Sequence, residues 1–97
     1  VTNVHEILER VDSRESFLEF VRALAADRVA SVAEEAVSPS SGSGPEAGGW
    51  ENTTIEAFLE AAVAWAEDSR FGESQGLQSA NPWQMFAVFL YCGKIYE

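Results

Sequence analysis

From Asn81 to Gly93 the chain reads Asn-Pro-Trp-Gln-Met-Phe-Ala-Val-Phe-Leu-Tyr-Cys-Gly, with almost no polar side chain between its ends. Asn81 can accept from free backbone N–H groups at a helix start, and Pro82 suits the first helical position, where its missing N–H costs nothing. Gly93 reads as the stop, since glycine reaches the left-handed conformation without a Cβ clash. Trp83, Phe86, Ala87 and Leu90 make one apolar stripe, and Met85, Phe89 and Cys92 make a second beside it. A helix apolar nearly all round is buried on several sides. The remaining helices are therefore expected to pack around this one.

Their positions follow from caps and spacing. Asn3 can cap a short first helix in which Val4, Ile7, Leu8 and Val11 share a face. Asp12-Ser13 reads as a break and a new cap, with Glu15 in the first turn, where the helix dipole favours negative charge. The second helix is long, with Phe17, Phe20, Val21, Leu24 and Arg28 on one side, and its end is expected between Asp27 and Ala36. Residues 38–49 are all Ser, Gly or Pro apart from Glu46 and Ala47, a composition that reads as a flexible connecting loop. Thr53 and Glu56 then have the spacing of a capping box. The third helix starts there, with Ile55, Phe58, Leu59 and Ala62 filling the i, i+3, i+4, i+7 template and Ala61 and Trp65 widening it, and runs to about Asp68. Phe71 and Leu77 are isolated apolar anchors in the next connection, and Ile95 and Tyr96 are expected to dock the tail. The expectation is a compact all-α domain of four helices spanning 1–97, with a buried C-terminal helix, a long Ser/Gly/Pro loop and no strands. Ninety-seven residues leave room for one core.

Charge narrows the function classes. Sixteen acids against six bases give a net charge of −10, spread along the chain with no basic patch. Nucleic-acid binding and attraction to an anionic membrane both need clustered Lys and Arg, so neither is expected. No apolar run approaches the roughly 20 residues that cross a bilayer, and the N-terminus has no basic or apolar leader, which reads as a soluble protein. On the third helix Glu56, Glu60 and Glu67 form an acidic surface, suited either to solvation or to a basic partner. Trp65 and Trp83 read as core. Trp50, just before the third helix, reads as core or as part of a partly exposed groove.

Catalytic constellations are missing. The single cysteine, Cys92, lies in an apolar run and reads as a core thiol without a disulfide partner. His5 is the only imidazole, no nucleophile elbow or phosphate-cradling glycine motif occurs, and one His with one Cys do not make a zinc set. Glu6 and Glu9, with Glu56, Glu60, Glu67 and Asp68, offer carboxylates of the kind that hold magnesium in some helical pyrophosphohydrolases. That chemistry needs convergence on one spot and basic groups for phosphates. No cofactor or metal site is assigned.

Trp50-Glu51-Asn52, then Ile55-x-x-Phe58-Leu59-Glu60-Ala61 and Ala64-Trp65 with Asp68, then Pro82-Trp83-x-x-Phe86, Leu90 and Gly93-Lys94-Ile95-Tyr96-Glu97 resemble a family of small bacterial proteins of unknown function. The likeness covers roughly residues 13–28 and 50–97. It implies a bacterial, cytoplasmic origin and carries no catalytic assignment. The preferred reading is a non-enzymatic, acidic protein-interaction module whose partner is basic, for instance a toxin or nuclease that it neutralises. The alternatives are a metal-dependent hydrolase of a phosphorylated small molecule and a homodimer that buries an aromatic surface against itself.

Overall fold

The computed structural model describes residues 3–40, 44–73 and 81–96. Four helices follow in order, α1 (Val4–Glu9), α2 (Arg14–Val37), α3 (Ile55–Asp68) and α4 (Pro82–Ile95), with a 3-10 turn at Ala47–Gly49 and no strand among the described residues. The all-α, four-helix expectation holds. No helix among the described residues is long and apolar enough to cross a membrane.

Local caps set most of the starts. The Asn3 side chain accepts from His5 N, and Ser13 and Ser16 form a reciprocal capping box at the start of α2. Asn81 caps α4 by accepting from Gln84 N, with Pro82 at the first helical position. Its amide also donates to Val11 O at 2.9 Å, and the Gln84 amide donates to Leu8 O at 3.2 Å. The start of α4 is thereby tied to the end of α1.

α4 packs on α1, α2 and α3, most extensively on α3. Val4, Leu8, Val11, Phe20, Leu24, Trp50 and Ala87 form the buried cluster. A second aromatic group fastens α3 to α4: Phe71 stacks on Phe89 at 5.5 Å and meets Trp65 edge-on at 5.7 Å. Phe71 is thus an anchor, while Leu77 lies outside the described residues.

Four expectations are corrected. α2 ends at Val37, one residue past the expected window, because Ala33, Glu34, Glu35 and Ala36 are good helix formers that carry it through its last turn. The cap of α3 is Thr54, whose side chain accepts from Ala57 N at 3.1 Å, not Thr53. Residues 51 and 52 are held on the end of α4, and Thr53 is still non-helical. The template of α3 splits over two faces: Ala62 and Trp65 are buried with Phe58 half-buried, whereas Ile55 and Leu59 are exposed.

Gly93, finally, does not end α4, which continues through Ile95. A Cβ at Gly93 would lie 2.9 Å from the Phe58 carbonyl oxygen and 3.0 Å from its ring. The glycine is there for close approach of α3 and α4.

Candidate functional site

The Trp50-Glu51-Asn52 segment and the end of α4, 41 or more residues apart in sequence, meet in space. Glu51 N and Asn52 N both donate to Lys94 O, and the Asn52 amide donates to Gly93 O at 3.0 Å and Tyr96 O at 2.8 Å. Helix carbonyls left without intrahelical partners are thus satisfied by a distant side chain rather than by a glycine cap. The Tyr96 hydroxyl donates to the Asp68 carboxylate, which docks the tail on α3 and raises the phenol's pKa.

Charged groups gather around Trp50, which is 4 % exposed. Asp27 Oδ2 accepts from Trp50 Nε1 at 2.9 Å and from Lys94 Nζ at 2.7 Å. The Lys94 ammonium and the Arg28 guanidinium lie 5.3 and 5.5 Å from the Trp50 ring centroid, within cation–π range. Arg28 donates to Glu46 Oε1 at 2.9 Å and to the buried Ser31 Oγ at 3.1 Å. Two turns beyond Arg28 on α2, Glu35 accepts from Ser40 N and Oγ and from Ala47 N. Those hydrogen bonds hold its carboxyl below its ordinary pKa and clasp both flanks of the Ser/Gly/Pro segment to α2.

This knot forms the floor of a groove. Trp50, Asn52, Thr53, Ile55, Phe58 and Leu59 line an apolar hollow of about 350 Å3, with Arg28 at its edge. Leu59 continues into a second hollow of about 280 Å3, bordered by Glu60, Val63, Ala64 and Glu67. Ile55, Leu59 and Val63 are 78 %, 50 % and 48 % exposed, so the outer side of α3 carries an apolar ridge. At 1.5 Å per residue that ridge is about 12 Å long.

Of the residues singled out in the sequence, Glu56, Glu60 and Glu67 are exposed on α3, and none of them ion-pairs with a described residue. Glu60 and Glu67 border the same hollow. Trp50 is a buried wall of the adjoining groove. Asp27, Arg28 and Lys94 were not singled out for a site. Their one signal is that Asp27-Arg28 interrupts a run of alanines and valines on α2.

The arrangement offers little for nucleophilic or metal chemistry. Burial pushes the Cys92 thiol up to about 11, so it stays protonated near neutrality. Burial also raises Tyr91, helped by the Asp27 carboxylate. Among the described residues no three His, Cys, Asp or Glu side chains converge as metal ligands. His5 sits on the surface, its Nδ1 3.7 Å from Glu9 Oε1 and its ring edge-on to Tyr91.

Comparison with known proteins places the chain in a family of unknown function. A family described as "Family of unknown function (DUF7660)" matches residues 13–97, and the chain belongs to that family. The match takes in α2, the Trp50 knot, α3 and α4, and leaves out α1. No curated protein and no solved structure matches the chain.

Proposed function

We propose that this member of a family of unknown function is a non-enzymatic interaction module, bacterial and cytoplasmic, that binds a basic partner protein through the outer side of α3. One observation carries the reading. The apolar ridge of Ile55, Leu59 and Val63 is solvent-exposed and stands among Glu56, Glu60 and Glu67, carboxylates without ion-pair partners among the described residues.

Such a face combines the two parts of a specific contact: apolar area to bury and charge to steer the encounter. A partner helix with bulky side chains one turn apart fits the paired hollows, and Lys or Arg beside them meets the acids. Neutralisation of a basic toxin or nuclease is one role that fits this chemistry. A second copy of the chain fits less well, because a two-fold contact along the ridge brings acidic rims toward each other in a protein of net charge −10.

The test is affinity capture from a lysate of the source organism at low and moderate salt, with wild type beside Glu56→Lys/Glu60→Lys. A single basic protein is expected, retained by wild type, lost as salt rises and lost by the double variant. Equal retention by the two proteins would exclude the α3 face.

A further inference from the structure

Asp27 and Lys94 also line a recess of about 300 Å3 that shares no residue with the α3 groove; Asn3, His5, Gly48 and Tyr91 complete most of its wall. The Lys94 side chain is 8 % exposed and that of Asp27 26 %. One ammonium hydrogen goes to Asp27 Oδ2, and the other two find no acceptor oxygen among the described residues. Nζ instead lies 5.3 Å from the Trp50 ring centroid and 6.0 Å from that of Tyr91.

Asp27 Oδ2 is taken twice, by Trp50 and Lys94, while Oδ1 accepts from no described residue. Oδ1 lies beside Gly48, where an added Cβ would come within 3.9 Å of it. The Tyr91 hydroxyl likewise makes no hydrogen bond to a described residue. The recess thus presents spare donors on Lys94 and Tyr91 and a spare acceptor on Asp27, with a buried positive charge beside a half-buried negative one.

That pattern selects its ligand. A simple anion on Lys94 would meet the Asp27 carboxylate and the field of a chain with net charge −10, and a simple cation on Asp27 would meet Lys94. A molecule with both signs on neighbouring atoms satisfies the pair head to tail without adding net charge. The volume is at the small end of the roughly 300–1,000 Å3 typical of ligand cavities, which limits the ligand to a few heavy atoms beyond its charged groups.

We propose that this recess binds a free α-amino acid as its zwitterion, the carboxylate on the Lys94 ammonium and the Tyr91 hydroxyl and the ammonium on Asp27 Oδ1. Gly48 keeps the wall beside Oδ1 open, and its φ of +77° is one that a larger residue adopts only with strain. Asn3 and His5 form the exposed rim. This site stands independently of the α3 face and survives its failure.

The experiment is titration of the whole chain with each proteinogenic amino acid up to about 10 mM, followed by melting temperature and by backbone amide resonances. N-acetyl and carboxamide forms of each serve as controls. At least one free amino acid is expected to bind saturably and to shift the resonances of Gly48, Tyr91 and Lys94. Blocking either charged group is expected to weaken it at least about tenfold, since a spare buried polar group is then left unpaired. Tyr91→Phe, which keeps the ring, and His5→Trp, which narrows the rim, are each expected to weaken binding with the fold intact. The proposal is overturned if no free amino acid binds, if the blocked forms bind as well, or if both variants bind like wild type.

Discussion

The inner and outer sides of α3 are made of similar residues and put to opposite use. On the inner side Phe58, Ala62 and Trp65 close against α4, and the nearby charges of Asp27 and Lys94 are paired and largely out of water. On the outer side Ile55, Leu59 and Val63 remain exposed to solvent, and so do Glu56, Glu60 and Glu67. The same residue types therefore hold the fold together where each finds a partner within the chain, and become a contact surface where none does. Hydrophobicity alone does not separate the two sides; close approach of backbone does.

The largest effect expected is that of Lys94→Met. It leaves Asp27 without its cation in a mostly buried position and should destabilise by about 3 kcal/mol, the lower end for a broken buried pair because Asp27 keeps some solvent contact. Urea denaturation measures it, and a loss below about 1 kcal/mol would make the pair no more than a surface contact. Gly93→Ala attacks the same side through packing. The added methyl must displace Phe58, at a cost of about 1–3 kcal/mol with no change in charge. If it proves neutral, α3 and α4 have room to slide and the contrast between the two sides weakens.

A smaller effect concerns the clasp on α2. The folded pKa of Glu35 lies below its ordinary value of 4.5, so its contribution is complete above that value and is lost as pH falls through the depressed folded one. Glu35→Gln should lower stability near pH 7, where the carboxylate's contribution is complete, and converge on wild type as pH falls, which flattens that part of the acid limb in thermal melts. An acid limb identical to wild type would assign the pH dependence to other carboxylates. The smallest effect belongs to the outer side. Glu60→Lys removes a like-charge neighbour of Glu56 one turn away and should shift stability by no more than about 0.5 kcal/mol, in the stabilising direction. A large loss in its denaturation curve would mean that the acidic face takes part in the fold after all.

Helix starts were legible because they are written locally: Asn3, Ser13 and the Asn81-Pro82 pair each act within one turn of where they stand. The central place of α4 was legible from its apolar run, since it packs on α1, α2 and α3, but its burial on every side was not borne out: Phe86 is 49 % exposed and only Ala87 and residues 92–94 are buried. Gly93 was misread because a stop and a close approach use the same residue, and only the position of Phe58 tells them apart. The outer side of α3 was misread because Ile55, Phe58, Leu59 and Ala62 fit one broad stripe, and periodicity alone does not say which edge of that stripe meets α4. Least legible was the ion pair. Asp27 and Lys94 are 67 residues apart, and neither has a neighbour in sequence that points to the other.

The Glu35 clasp also bears on how the chain can be altered. One carboxylate gathers Ser40 and Ala47, so the segment between them begins and ends at the same place on α2. Closure entropy grows only with the logarithm of length, about 0.6 kcal/mol for each doubling. New sequence inserted between Ser40 and Gly44, ahead of the Glu46 carboxylate that holds Arg28, is therefore anchored on either flank by contacts it does not disturb. An epitope, a fluorophore site or a small guest domain could be carried at that point, leaving the outer side of α3 untouched for whatever it binds.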